Sequence, residues 1–209
     1  MAKAMPAINE ETTRKRRRPF IDAATEAFFA NGYGDATMSS IALAVGGSKT
    51  TLWNYFPSKE ALFAAVVDDI IARHSEVITV ELPRDEEVDR VLKRFGTVLM
   101  AALLSEPLLN LQRLVIGESR RFPHLAEFFY ERGPRRGRAL LAAYLDELME
   151  KGDLRRGDPL AAAHQFVALC QSRAHQYAIM NLIMPDQAAQ AACDVELAVE
   201  TFCRGWAKP

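Results

Sequence analysis

Histidine, cysteine and hydroxyl side chains are where chemistry could begin, and in this chain they are scattered. His164 and His175 stand 11 positions apart, about three turns on one helix. That separates them by about 16 Å, too far to share one metal. His124 and Glu127 have a spacing that allows a weak pair on a helix surface, and His74 is isolated. Cys170, Cys193 and Cys203 are an odd number without a CxxC pair, as expected of free thiols in a reducing cytoplasm. Cys170 lies on an apolar face and reads as a small buried hydrophobe. No nucleophile–base pair, phosphate-cradling glycine loop or metal-ligand spacing occurs. The sequence therefore predicts neither an enzyme nor a metal or cofactor site.

A different chemistry is concentrated in residues 37–56, TMSSIALAVGGSKTTLWNYF. Thr37 can cap one short helix with Ile41 and Ala44 inward, Gly46-Gly47 stops it, and Ser48 can cap a second. Two short helices about a tight glycine turn form the layout in which the second helix enters a DNA major groove. Lys49, Thr50, Trp53, Asn54 and Tyr55 would face outward with hydrogen-bond donors. Leu52 and Phe56, four apart, would anchor the helix to a core. The run Arg14–Arg18 ahead of it suits a basic arm reaching phosphates or the minor groove.

The flanks of that segment carry a resemblance. Phe28, Asn31-Gly32-Tyr33, Thr37, Ile41-Ala42, Ser48-Lys49, Thr51-Leu52, Tyr55-Phe56 and Ser58 to Phe63 fall in the register of the TetR/AcrR family of bacterial transcriptional regulators, over about residues 16–66. The run Glu118 to Ala143, then Gly152-Asp153-Leu154, Asp158-Pro159 and Gln165-Phe166, resembles the C-terminal half of the AefR-like branch. The resemblance implies that Ser39, Lys49, Thr50, Trp53 and Tyr55 approach base edges, and that Thr37, Thr51, Tyr55 and Lys59 contact phosphates. Hydroxyls and helix-start amides suit the backbone, Lys49 suits a guanine edge, and Ser48 and Asn54 complete the DNA-binding candidates. Gly47, Thr50 and Trp53 depart from the family's usual residues. Gly47 should loosen the turn, and with Thr50 it keeps open an alternative: a small-molecule-binding helical bundle whose DNA-binding domain is non-functional.

The elements that must position these residues are helical. Apolar spacing of three and four dominates from residue 14 onward without β-alternation. The expectation is an all-α chain: residues 1–13 a disordered arm, 14–60 a three-helix helix-turn-helix domain, and 61–209 a larger bundle of about six helices. The first helix should open near Pro19. Hydrophobic residues are 49% of the 209, and 26 basic against 27 acidic side chains give a net charge of −1. That excludes bulk polyelectrolyte binding. No uncharged stretch is long enough to span a bilayer, so a cytoplasmic protein is expected.

For the larger part, the resemblance implies an apolar or amphipathic effector and a homodimer built on the last two helices, about 159–183 and 186–206. Val199, Phe202 and Trp206 would be costly in water and so fit such an interface. His74, Phe95, Leu99, Phe166, Cys170 and His175 are the inward-facing candidates for an effector pocket. Phe122, Phe128, Phe129 and Tyr130 could wall a pocket or belong to the core. The resemblance thus implies a repressor that binds a palindromic operator as a homodimer and is released by a small molecule.

Overall fold

The computed structural model describes residues 8–74, 76–182 and 185–208, and every regular element among them is helical. Helices α1 (Ile8–Asp35), α2 (Met38–Ala44) and α3 (Lys49–Tyr55) lead into the longer α4 (Lys59–His74). A 3-10 turn at Glu76–Ile78 precedes α5 (Val88–Leu103), α6 (Glu106–Glu118), α7 (Pro123–Arg132) and α8 (Pro134–Lys151). Then follow α9 (Pro159–Cys170), α10 (Ala174–Ile179) and α11 (Gln187–Trp206).

Eight helices follow the first three because two expected segments are each cut in two. Gly133 leaves helical dihedrals (φ −117°, ψ −80°) and Pro134 then opens α8, a position where its missing N–H costs no helix bond. Residues 171–173 separate α9 from α10, so His164 and His175 do not share a helix. The first helix begins at Ile8, not near Pro19, which lies inside it. Arg18, bonded to Asp22 and to Asp69 of α4, and buried Phe20 hold the chain beside the proline. Residues 8–13 are accordingly helical, while residues 1–7 of the expected arm lie outside the described residues. The Asn31-Gly32 stop is realised as a break at Gly32 (φ 78°), after which one more turn runs to Asp35.

Two hydrophobic clusters organise the chain. The first joins Phe20, Phe28, Ile41 and Leu52 to α4 through Phe63, Val66 and Ile70, and takes in Leu108, Leu111 and Val115 of α6. Phe28, Tyr33 and Phe63 meet at its centre, Phe63 edge-on to the other two, with ring centroids 5.4–5.7 Å apart. The second is formed by α5, α8, α9 and α11, with Phe166 between Phe95 (6.2 Å) and Phe202 (5.4 Å). Helix α6 packs on α1, α4 and α7, so it bridges the small helical domain and the rest.

Val199, Phe202 and Trp206 correct the expectation that they face a partner. All three are buried in their own protomer, where Trp206 stacks on Phe202 and donates its indole N–H to Gln165 at 3.0 Å. The last helix turns its apolar stripe inward to close the second cluster; Leu160 and Leu197 are the large apolar side chains that α9 and α11 leave exposed. Among the described residues, no single helix is long and apolar enough to cross a membrane.

Candidate nucleic-acid interface and ligand cavity

Local capping fixes the two short helices. The Thr37 hydroxyl accepts the Ser40 N–H at 3.1 Å while Ser40 Oγ accepts the Thr37 N–H, a reciprocal box at the start of α2. Ser48 Oγ accepts the Thr51 N–H at 3.1 Å at the start of α3. Between them Gly46 takes φ +68°, the left-handed conformation that ends a helix without strain only for glycine. Gly47 lies close against the Phe20 ring. A Cβ there would stand 3.1 Å from Phe20 Cζ, so its bare Cα is what lets α3 close onto α1.

Leu52 is fully buried and Phe56 nearly so, which presses one side of α3 against the core. The opposite side is solvent-facing: Lys49, Thr50, Thr51, Trp53 (48% exposed) and Asn54, joined by Thr37, Ser39 and Ser48. Ser39, Lys49, Thr50, Trp53 and Asn54 make no side-chain hydrogen bond among the described residues. A short rod thus presents a contiguous row of unused donors beside a free ammonium, chemistry suited to base edges and phosphates.

Two expected contacts are only partly exposed. Tyr55 is half-buried against Phe20, with centroids 6.1 Å apart. Lys59 donates to the carbonyls of Gly34 (3.1 Å) and Ala36 (2.7 Å) and lies over the Tyr33 ring at 4.4 Å. Burial lowers its pKa, opposed by the charge of Glu60. Its ammonium clamps the link between α1 and α2. The basic run is likewise divided, since Arg18 is ion-paired and Arg17 lies over the Phe56 ring at 4.6 Å, leaving Arg16 exposed on α1.

A cavity of about 210 Å³ lies where the two hydrophobic clusters meet. Ile71 of α4, Phe95 and Leu99 of α5, Leu108 of α6, Phe129 of α7 and Val167 of α9 form its apolar wall. Gln112, Arg138, Gln171 and His175 supply the polar groups. Of the six pocket candidates, Phe95, Leu99 and His175 line it. Phe166 and Cys170 are buried in the second cluster instead, where burial raises the Cys170 thiol to about 12. His74 belongs to a surface hollow beside Arg73 and Thr97. The aromatic group also divides: Phe129 walls the cavity, Phe122 and Phe128 pack by His124, and Tyr130 is exposed. His124 meets the Tyr33 hydroxyl at 3.2 Å rather than Glu127.

His175 Nε2 and Gln112 Oε1 are 2.9 Å apart, while the buried Nδ1 has no partner. Burial lowers the His175 pKa, so the ring is held neutral. Arg138 and Gln112 were not among the sequence candidates. Arg138 hid in the charged run Arg135-Arg136-Gly137-Arg138, although it stands three residues before buried Leu141 and next to buried Gly137.

Residues 90–208 match the AefR-like transcriptional repressor C-terminal domain, and residues 20–66 match the bacterial regulatory proteins of the tetR family. The chain belongs to the TetR family. A TetR-family transcriptional regulator from Mesorhizobium loti superposes with a TM-score of 0.78 at 29% identity, covering 94% of this chain and 98% of that one. The flavonoid-responsive regulator FrrA gives 0.77 at 29% identity, covering 93% and 98%. The HTH-type transcriptional repressor Rv1474c of Mycobacterium tuberculosis is 32% identical over 37% of this chain and 41% of its own length. This chain spans less than half the length of such curated repressors.

Proposed function

We propose that this TetR-family chain is a DNA-binding transcriptional repressor, controlled by a small molecule held in the inter-cluster cavity. The observation that carries this reading is α3: Leu52 seals one face to the core while Lys49, Thr50, Trp53 and Asn54 project from the other. The match to repressor domains over both parts of the chain supports it. The close fit of Gly47 on Phe20 weighs against a slack, non-functional DNA domain.

A seven-residue helix is about 10 Å long and reads few base pairs. Affinity and specificity therefore call for two copies, as a two-fold homodimer on a palindromic operator with half-sites about 34 Å apart. Leu160 and Leu197, exposed on α9 and α11, are the apolar side chains that fit such an interface. Repression follows from occupying a promoter, in the bacterial cytoplasm where the chromosome lies.

Control runs through two helices that each touch both ends. α4 starts beside the Lys59 clamp and reaches the cavity at Ile71; α6 lines the cavity with Leu108 and Gln112 and ends at Glu118 against Gly34. A ligand that fits one arrangement of α4 and α6 better shifts the dimer toward it, and linkage makes DNA and ligand oppose each other. The similarity to a flavonoid-responsive regulator supports such an effector. The test is a mobility-shift titration on the DNA upstream of the protein's own gene, with sedimentation to read the stoichiometry. Two protomers per site at nanomolar concentration support the reading. No sequence preference over random duplex rejects it.

A further inference from the structure

Among the half-buried arginines, most are visibly satisfied. Arg18 pairs with Asp22 and Asp69, Arg94 with Glu86, Arg132 with Asp68 and Arg173 with Asp194, while Arg113 bonds the carbonyls of Ala178 and Ile179. Arg138 differs. It lines the cavity, its Nε is buried without a hydrogen-bond partner, and it makes no ion pair among the described residues. Its neighbours one turn away on α8 are Pro134, Arg135, Leu141 and Ala142, none of them acidic. A guanidinium presents planar, fixed donors matched to a carboxylate. Leaving it partly desolvated and unpaired costs stability that an anionic ligand would recover.

We infer that the cavity takes a compact organic carboxylate, its acid group received by Arg138 and its apolar body held against Phe95, Leu99, Leu108 and Phe129. Three observations set the class. Arg138 is a single positive charge, and burial keeps His175 neutral, so the site balances one negative charge rather than two. Burial also lowers the Arg138 pKa, the sign of a cation short of compensation. The volume of about 210 Å³ is below the roughly 300–1,000 Å³ of most small-molecule pockets, which favours a short chain or one ring over a long conjugate. The unpartnered Nδ1 of His175 can bind a further polar atom of the same ligand.

The inference rests on reading this cavity as the effector site, so binding is measured on the full chain without DNA. Calorimetry at pH 8 would compare octanoate and 3-phenylpropionate with their neutral amides. The acids should bind about tenfold tighter, as expected for a charge-assisted pair. Arg138→Gln should abolish that preference while leaving amide binding within about twofold. Acids and amides binding alike to the unaltered protein would overturn the assignment whether or not the variant folds. So would acid binding that survives Arg138→Gln, or failure of both acids to bind. Arg138-dependent acid binding that leaves operator affinity unchanged would uphold the carboxylate site and retire the release mechanism instead.

Discussion

Glu118, in the last turn of α6, accepts the backbone N–H of Gly34 at 3.0 Å, across 84 residues of chain. Gly34 lies between the break at Gly32 and the start of α2, and Lys59 holds its carbonyl from the other side. Six residues earlier on the same helix, Gln112 faces the cavity. A rigid helix therefore connects the two places where ligand and DNA would act. Glu118→Ala is expected to leave operator binding and cavity binding individually within about threefold of normal. It should cut the ratio of operator affinities without and with ligand by at least half of its logarithm, within the usual 1–3 kcal/mol of such coupling. A full ratio in the variant, read by fluorescence anisotropy, would assign the coupling to another path.

The solvent-facing side of α3 and the Lys59 clamp should separate cleanly on mutation. Lys49→Ala and Trp53→Ala remove exposed side chains that make no internal hydrogen bond or ion pair, so thermal midpoints should stay within about 2 °C. Operator affinity should fall by about 1–3 kcal/mol for each, the usual worth of a base-edge contact. Lys59→Ala is the opposite case: it frees two carbonyls and lowers stability by about 1–3 kcal/mol. Any loss of DNA binding there should track the loss of folded protein at the assay temperature. Should Lys59→Ala keep full stability yet lose phosphate affinity and salt slope, the lysine is a phosphate contact after all.

The helices and caps around α2 and α3 were legible in sequence because their causes are local. Thr37 and Ser48 bond atoms three residues away, and Gly46 needs only its own φ. The cavity was only half legible. Phe95, Leu99 and His175 follow from inward-facing stripes, but Phe166 and Cys170 sit on equally inward faces and fill core instead. Which inward position borders empty space depends on how α4, α6 and α8 cross, a tertiary property that periodicity does not encode. The same limit misplaced Trp206, since an apolar stripe near the chain's end does not say whether its own protomer covers it.

Gly46 and Gly47 adjoin in sequence yet are required for different reasons, and substitution should separate them. Gly46→Ala forces a side chain into φ +68° with nothing within 4 Å of the new Cβ. Its cost is backbone strain alone, about 1 kcal/mol. Gly47→Ala has an ordinary backbone but brings Cβ to 3.1 Å from Phe20 Cζ. Phe20 is 4% exposed and cannot retreat far, so α3 must yield by a few tenths of an ångström. Gly47→Ala should therefore weaken operator binding more than Gly46→Ala at equal loss of stability, and Phe20→Leu should partly restore it by relieving the contact. Denaturant melts beside anisotropy titrations check this; indistinguishable binding by the two variants would put the close fit outside recognition.

His175 gives the fold a pH dependence of predictable sign. Its ring is buried, one nitrogen meets Gln112, and burial lowers its pKa from 6.5. An unfolded histidine titrates near its ordinary value, so below about pH 6.5 the unfolded chain binds a proton that the folded chain refuses. Stability is therefore unaffected by this group well above pH 6.5, and it falls as the pH drops toward the depressed folded value. Glu60, Glu147 and Glu196 also lose stabilisation in acid, but their folded values lie below 4.5 and the loss comes mainly beneath pH 5.5. The interval from pH 7.5 to 5.5 thus isolates the histidine among these groups. The unaltered protein should melt at a lower temperature at pH 5.5 than at pH 7.5. His175→Gln, which can keep a hydrogen bond to Gln112 without a titrating ring, should flatten that difference. Equal slopes for the two proteins in differential scanning calorimetry would mean that another group sets the dependence. A carboxylate bound beside Arg138 would stabilise any His175 that does become protonated, so the same slope should shrink when octanoate is present.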